Sequence, residues 1–287
     1  MGSNAIRLLI ADIIIEDGEN TTFKKKLFIR IPLRLGDDAF LNKNISDQKV
    51  KDLIRTMTAF SHLMKVFNVQ HYRACATSAM REASNGLAIV DKIKSKARLN
   101  LEIINGQQEA NIIYTIHEDQ HLQPKKNCLY IDVGGGSTQL SLFADGKMIS
   151  SNSFNIGTIR ILGNQVTDEH WDEMKEWITE KLSVYKKIIG IGTGGNINKL
   201  HQMANKKNDK PLDYEDIKKL NDELTSYSLE ERIHKLHLNA DRADVIIPAS
   251  EIYLNVMKWA TIDHLLVPRL GLVDGIIQQL IEKYHKK

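Results

Sequence analysis

The sequence predicts an α/β protein built from two domains, and three observations carry this prediction. The chain has 287 residues, which is more than one hydrophobic core usually organises. Runs rich in β-branched residues alternate with amphipathic segments, a pattern typical of mixed or parallel sheets covered by helices. The second half opens as the first does, with strand, turn and strand, which suggests a duplicated domain. Paired domains of this kind usually hold their ligand in the cleft between them, and we expect the same here.

The first half opens with two β-rich runs at 5–15 and 21–33, joined by the turn-like residues 16–20. Ser46 is suited to cap a helix that continues to about Phe67, because apolar residues recur there at helical spacing. The remaining elements predicted for this half are a strand at 69–76, a loop at 77–86, a helix at 87–98, a strand at 100–104, and a turn with a helix at 106–118.

The polar segment 121–127 contains a proline and interrupts the pattern, so we place the domain boundary there, between 1–122 and 123–287. The closing helix, 272–285, has one apolar face. This face is suited to pack on the first domain or at a homodimer interface, and packing within the chain is favoured. The other elements predicted for the second half are strands at 128–133, 138–144 and 147–154, a helix at 168–186, a strand, glycine loop and helix within 186–200, helices at 213–226, 228–238 and 248–260, and a strand at 264–268.

The composition is ordinary for a globular protein, with 42% hydrophobic and 26% charged residues. A net charge of +3 is too small to indicate a nucleic-acid partner. No apolar stretch approaches the ~18 residues that span a bilayer, and the chain does not open with a signal-peptide pattern. Cys75 and Cys128 each lie in an apolar run, which predicts buried free thiols and suits a reducing cytosol. Together, these features predict a cytoplasmic protein with neither a membrane nor a nucleic acid as partner.

The segment IDVGGGSTQLSLF, residues 131–143, places a glycine loop between two strands. Glycines let successive backbone N–H groups turn inward as an anion-binding nest, and two hydroxyl groups follow at Ser137 and Thr138. Asp132 ends the first strand, and its carboxylate would repel phosphate unless a cation or a positioned water lay between them. The loop therefore predicts a phosphate site with a hard divalent cation, Mg²⁺.

A second loop, GTGG at 192–195, repeats this arrangement between a strand and a helix that begins near Asn196. Helix N-termini attract phosphate through unpaired N–H groups and a partial positive charge. A tight turn is the alternative for either loop alone, but two such loops, each after an apolar strand, favour phosphate. Neither loop matches the P-loop or the dinucleotide-binding pattern.

Five motifs occur in one order along the chain: GSNAIRL, ATSAMREASNG, GQQEA, DVGGGST and GTGGN. Together they resemble the exopolyphosphatase/guanosine pentaphosphatase family of the actin-like and sugar-kinase superfamily, in its short two-domain form. The resemblance extends over essentially the whole chain, including RADVIIPASEIY and LGLVDGII near the end. It implies two ribonuclease-H-like (actin-like ATPase) domains with mixed sheets flanked by helices. It also implies an active site in the interdomain cleft, where Mg²⁺ assists attack of water on a terminal phosphoryl group.

The resemblance implies roles for individual residues. Glu109 matches the family's catalytic glutamate, which would accept a proton from the attacking water. Asp132 matches a carboxylate that orients metal or water, with Gln139 as a weak second metal ligand. Arg81 and Asn85 resemble loop residues that hold the substrate's phosphates. The glycine-loop positions that resemble phosphate contacts are Gly2, Ser3, Asn4, Gly134, Gly135, Gly136, Ser137, Thr138, Gly192, Thr193, Gly194 and Gly195.

Structural alternatives exist for several of these residues. Arg81 and Glu82 are neighbours that could form only a surface pair with each other. Glu109 lies in the first turn of a predicted helix, where a carboxylate favours the helix dipole regardless of catalysis. Asp244 and Asp274 also match family positions, and we interpret them as structural.

The sequence departs from the family pattern at three places. The pattern D-x-G-S-N opens with a strand that ends in aspartate, whereas this sequence begins Met1-Gly2-Ser3-Asn4. We expect a late start or a truncation there, and greater stability for an extended chain, since a lost strand leaves backbone groups unpaired. Gln139 and Gln108 stand where the family usually has glutamate. An amide binds Mg²⁺ more weakly than a carboxylate does.

The leading hypothesis is a hydrolase that releases terminal phosphate from inorganic polyphosphate or guanosine pentaphosphate. The alternative is a weakened or inactive member that binds polyphosphate or guanosine alarmones, such as guanosine pentaphosphate or tetraphosphate, as a sensor. The lost carboxylates motivate this alternative. A kinase of the wider superfamily is disfavoured, because no adenosine-binding pattern is visible.

Overall fold

The computed structural model describes residues 1–15, 21–119, 126–207, 210–268 and 270–284. Its strands are β1 Ile6–Ile15, β2 Thr21–Ile31, β3 Ala74–Ala76, β4 Leu101–Ile103, β5 Cys128–Val133, β6 Thr138–Ala144, β7 Lys147–Phe154, β8 Ile189–Thr193, β9 Leu212–Asp213 and β10 His264–Leu266. Its helices are α1 Leu35–Asn42, α2 Asp47–Val66, α3 Ser78–Glu82, α4 Gly86–Ala97, α5 Gly106–Asp119, α6 Thr158–Leu162, α7 Asp168–Leu182, α8 Gly195–Met203, α9 Tyr214–Ser226, α10 Leu229–His234, α11 Ala240–Ala243, α12 Ile246–Ala260 and α13 Leu272–Tyr284.

The chain divides into two compact units. Unit 1 comprises Met1–Ile116 and Leu272–Lys287, and unit 2 comprises His117–Gly271. The mixed α/β architecture predicted from the sequence is confirmed. The predicted turn at 16–20 and most of the predicted boundary at 121–127 lie outside the described residues.

Unit 1 contains two small sheets and the helices that cover them. The long strands β1 and β2 pair antiparallel, while β3 and β4 pair parallel. Helix α2 begins directly after Ser46, as predicted, and its buried stripe includes Leu53 and Phe60. The helix ends at Val66, and Asn68 then takes a left-handed backbone conformation with φ 53°, which a continuing helix does not allow.

The closing helix α13 belongs to unit 1. Its Asp274 carboxylate lies 2.5 Å from the Lys25 ammonium of β2, and Gln279 donates a 3.2 Å hydrogen bond to Thr115 of α5. Gly275 lets the two helices approach so closely that a Cβ at this position would lie 2.7 Å from the Cγ2 atom of Ile112. These contacts attach the end of the chain to the helix that carries Glu109.

Unit 2 is built on a six-stranded sheet of order β7-β6-β5-β8-β10-β9. Strands β5, β8 and β10 run parallel, and β6, β7 and β9 pair antiparallel with their neighbours. The apolar helix α12 lies in the core of this unit, where Ile252, Tyr253 and Val256 are fully buried. The Tyr253 hydroxyl donates to the carbonyl of Thr193 at 3.1 Å, which attaches α12 to the end of β8.

Several sequence predictions are corrected by the structure. The strand expected at 69–76 is limited to β3, the expected loop at 77–86 contains the short helix α3, and α7 and α10 end earlier than expected. The helices α1, α6 and α11 and the two-residue strand β9 were not predicted. The elements α6, α11 and β9 have two to five residues each and are too short to display a hydrophobic period, so tertiary contacts rather than local pattern define them.

Both cysteines are buried and free, as predicted. Burial raises the pKa of the Cys75 thiol to about 12 and that of Cys128 to about 11. Within the described part of the chain, none of the helices is both long and apolar enough to cross a membrane.

Candidate active site

The glycine loop of unit 2 connects β5 to β6 and presents three backbone N–H groups. The loop closes on itself through a 2.9 Å hydrogen bond from the Gly134 N–H to the Ser137 carbonyl. Among the described residues, no acceptor pairs with the N–H groups of Gly135, Gly136 and Ser137. Three successive N–H groups without a protein acceptor are the arrangement found in anion-binding nests. Phosphate binding at this loop stays a prediction.

Thr138, the last residue predicted for this loop, has a different place. Its hydroxyl is fully buried and donates to the Ile156 carbonyl at 2.7 Å. The side chain therefore holds the loop against the segment that follows β7, and Gly135, Gly136 and Ser137 remain the donors that can reach a ligand.

The second glycine loop lies beside the first, because β5 and β8 are parallel neighbours that place Asp132 opposite Thr193. Gly194 has φ +91°, a conformation that favours glycine, and a Cβ there would lie 2.5 Å from the Asp132 Oδ1 atom. Asn196, in the first turn of α8, donates to the Val133 carbonyl at 3.1 Å. Both loops therefore meet at the carboxyl end of the unit 2 sheet.

Two members of the second loop are directed into the protein. A Cβ at Gly192 would lie 2.8 Å from Ile197, so this glycine permits close packing of α8 on β8. Thr193 is 2% exposed, and its hydroxyl has no hydrogen-bond partner within the described chain. An unpaired buried hydroxyl is costly, and this one lies next to Asp132 at the end of the sheet.

Asp132 and Gln139 are cross-strand neighbours in β5 and β6. The Gln139 amide nitrogen donates to the Ser151 hydroxyl at 2.8 Å, which in turn lies 2.9 Å from the Ser141 hydroxyl. The described residues contain no group of three or more carboxylate, histidine or cysteine side chains that would hold a metal ion. One carboxylate and one amide can hold Mg²⁺ only if substrate phosphates and water molecules supply most of its ligands, as they do at many Mg²⁺ sites.

In unit 1, the segment Gly2–Asn4 forms a tightly bonded turn. The Ser3 hydroxyl is 2.8 Å from that of Ser78, at the start of α3, and Ser3 is only 4% exposed. The carbonyls of Ser3 and Asn4 accept hydrogen bonds from the N–H groups of Gly36 and Arg34. This turn is thereby attached to α3, the helix that carries Arg81.

Arg81 and Glu109 meet in unit 1 although they are 28 residues apart, with an Nη1–Oε1 distance of 3.2 Å. The same Arg81 nitrogen donates to the Ile104 carbonyl at 2.6 Å. The alternative that Arg81 pairs only with Glu82 is therefore wrong. Burial raises the pKa of the Glu109 carboxyl, and Arg81 opposes this shift without cancelling it.

Gln108 positions the start of the helix that carries Glu109. Its side-chain oxygen accepts from the Asn105 N–H at 2.8 Å, and its own N–H donates to the Asn105 side chain at 2.9 Å. This reciprocal arrangement is a capping box, which glutamine and glutamate fill equally well. The departure from the family pattern at Gln108 therefore keeps the helix start intact.

Asn85 has both ends of its side-chain amide in use. Its oxygen accepts from the Ile45 N–H at 3.1 Å, and its nitrogen donates to the Ile45 carbonyl at 2.7 Å. A phosphate would have to compete with these bonds. The structure gives Asn85 a role in holding the loop before α2, and its phosphate contact stays a prediction.

The model of the Ppx/GppA phosphatase family matches residues 22–284. The chain belongs to this family. The family recognised from the five sequence motifs is therefore confirmed.

Individual relatives agree with this assignment. The chain is 26% identical over 98% of its length to a bifunctional 3-dehydroquinate synthase/phosphatase of Fusobacterium nucleatum, of which it spans 46%. It is 22% identical over 99% of its length to a putative exopolyphosphatase of Haemophilus influenzae, of which it spans 90%.

Solved structures show the same architecture. The crystal structure of the Aquifex aeolicus member of the Ppx/GppA family is 26% identical, has a TM-score of 0.78, and is matched over 100% of this chain and 97% of that one. An exopolyphosphatase from Cytophaga hutchinsonii is 21% identical with a TM-score of 0.83, over 99% and 96% of the two chains. The second likeness supports the fold alone.

Two basic residues beside the second glycine loop were missed in the sequence. Arg242 donates to the Gly195 carbonyl, and a Cβ at Gly195 would lie 2.9 Å from the Arg242 guanidinium. The pKa of Lys199 is lowered, first by burial and then by the charge of Arg242. The charge of Arg242 therefore acts on Lys199, which lies in the second turn of α8. Arg242 lies within RADVIIPASEIY, whereas Lys199 lies three residues after GTGGN, and neither stands next to a glycine run in the sequence.

Proposed function

We propose that this protein hydrolyses the terminal phosphoanhydride bond of inorganic polyphosphate or guanosine pentaphosphate. The observation that supports this most directly is the Arg81–Glu109 pair, with its distance of 3.2 Å. A guanidinium can bind two phosphate oxygens at once, and a carboxylate can accept a proton from water. A phosphate held by Arg81 would therefore lie within reach of a water activated by Glu109.

The environment of Glu109 suits a general base. A carboxylate with an ordinary pKa accepts protons weakly at neutral pH, and burial raises the pKa of this one. The side chain is 21% exposed, which leaves room for a water molecule. When Arg81 turns from Glu109 to a phosphate oxygen, the carboxylate loses its stabilising cation and becomes a stronger base.

The nest of unit 2 would hold phosphate oxygens through the N–H groups of Gly135, Gly136 and Ser137. Positioning and charge stabilisation account for most of the catalysis of phosphoryl transfer. Asp132 and the Gln139 oxygen would hold Mg²⁺ together with the substrate. When bound, the ion would neutralise charge on the phosphates.

We also propose a cytoplasmic location, because both cysteines are free thiols and free thiols suit a reducing compartment.

Binding without turnover is the second candidate. An amide at Gln139 and the absence of a three-residue acidic group in the described chain favour weak metal binding. A member of this kind would sense polyphosphate or guanosine alarmones.

Phosphate release from long-chain polyphosphate and from guanosine pentaphosphate, with Mg²⁺, tests both candidates. Glu109→Gln should lower the rate ~100-fold or more. Glu102→Gln is the matched control, because Glu102 also pairs with an arginine of unit 1, Arg73, at 2.5 Å, and it should keep most of the activity. Equal loss in both variants would refute the assignment of Glu109. If the wild-type protein releases no phosphate but its melting temperature rises with polyphosphate, the sensor function replaces the hydrolase.

A further inference from the structure

The segment that begins α6 packs against the glycine loop of unit 2 and donates hydrogen bonds to its carbonyl groups. The Gly134 carbonyl accepts from the Thr158 N–H at 3.1 Å, and the Gly135 carbonyl accepts from the Ile159 N–H at 2.8 Å. The Gly136 carbonyl accepts from the Arg160 Nε at 2.7 Å. Three successive carbonyls of the loop therefore point at residues 158–160.

This arrangement fixes the direction of the nest. In a trans peptide unit the C=O and the following N–H point in opposite directions. Carbonyls 134, 135 and 136 face α6, so the N–H groups of Gly135, Gly136 and Ser137 face away from it. The anion-binding geometry of the loop is therefore produced by its partners in α6 as much as by its own glycines.

Gly157 makes this contact possible. A Cβ at this position would lie 2.5 Å from the Gly136 carbonyl carbon and 2.5 Å from the Ser137 nitrogen. Both are backbone atoms, which cannot rotate away as a flexible side chain can. Any other residue would push the loop from α6 and break the hydrogen bonds that orient it.

Arg160 adds a charge to this support. The residue is 6% exposed, and a guanidinium remains positively charged throughout the physiological range. Its bond to the Gly136 carbonyl polarises the peptide whose N–H belongs to Ser137 and faces the ligand. A charged donor strengthens the next hydrogen bond in such a chain.

We propose that Arg160 is a positioning residue that sets phosphate affinity through the Gly136 peptide, without touching the ligand, and that Gly157 provides the space for it. This rests on the proposed function, since it assumes that the loop binds phosphate. Because Arg160 acts on the ligand only through the polarised Gly136–Ser137 peptide, its loss predicts phosphate binding weaker by roughly two- to fivefold.

The test is a titration of isotope-labelled protein with inorganic phosphate, followed through the backbone amide signals of Gly135, Gly136 and Ser137. Arg160→Gln should raise the dissociation constant by roughly two- to fivefold. Arg160→Lys keeps the charge and loses the Nε geometry, so its dissociation constant should lie between those of the wild type and Arg160→Gln. The signals of the three amides in the free variants should also shift, which a general loss of stability would not produce in a folded protein.

Arg232→Lys is the matched control, because Arg232 also donates to backbone carbonyls, those of Tyr227 and Ala243, away from the loop. It should bind phosphate as the wild type does. If Arg160→Gln does not fold, the phosphate affinity and amide signals of Arg160→Lys test the proposal. Equal affinity of wild type and Arg160→Lys, with unchanged amide signals, would overturn the role of Arg160 while leaving the phosphate site in place. Wild-type amides that do not respond to phosphate would overturn the site itself, and this inference with it.

Discussion

The close approach of α13 to α5 gives a sharp stability prediction, for the substitution Gly275→Ala. The added methyl would lie 2.7 Å from the Ile112 Cγ2 atom and closer still to the Ile112 carbonyl oxygen. Carbon atoms pack best at about 3.5–4.0 Å, so the helices would have to separate by about 1 Å. The carbonyl belongs to the backbone of α5 and cannot rotate away.

Two effects oppose each other in this variant. Alanine gains about 1 kcal/mol over glycine in a helix interior. Overpacking typically costs about 1–3 kcal/mol and occasionally more. Because the clash is with backbone, we place its cost at or above the upper end of that range, which leaves a net loss of about 2 kcal/mol. For a chain of 287 residues that corresponds to a melting temperature lower by about 3 °C.

The measurement is thermal unfolding followed by circular dichroism. Gly271→Ala is the matched control, since a Cβ at Gly271 meets nothing within 4 Å, and it should change the stability by less than about 0.5 kcal/mol. Identical melting temperatures for the two variants would refute the packing argument. A Gly275→Ala protein more stable than wild type would show that helix propensity outweighs the contact.

Three further predictions follow from individual residues. The pKa of Glu109 is raised in the folded state, so the protein loses stability as the pH rises from the ordinary pKa of a carboxyl through this raised value. Glu109→Gln should therefore stabilise the protein more at pH 7 than at pH 4. A gain in the denaturant midpoint that is equal at both pH values would contradict this. Gln108→Ala should lower the melting temperature through loss of about 1 kcal/mol of capping, while Gln108→Glu should keep it. Cys75 and Cys128, whose pKa values are about 12 and about 11, should react with iodoacetamide at pH 8 only after unfolding, as mass spectrometry would show.

The sequence by itself determined the class of fold, most of the long elements and the family. Strands such as β5 and helices such as α2 have hydrophobic periods that local physics decides. The two glycine loops were visible because each directly follows an apolar strand, and two such loops in one chain favour phosphate over a tight turn. Short elements such as α3 and α6 were missed, because a single turn contains no period.

Only the tertiary structure decided which distant residues meet. The pairing of Arg81 with Glu109 across 28 residues, and the support of the Gly136 carbonyl by Arg160 across 24, depend on how elements pack. The same holds for side chains whose polar groups are used internally, such as those of Thr138 and Asn85. A sequence motif names the residue types that a phosphate site needs. Hydrogen-bond partners and burial then determine which of those groups remain available to a ligand, and both are properties of the folded chain.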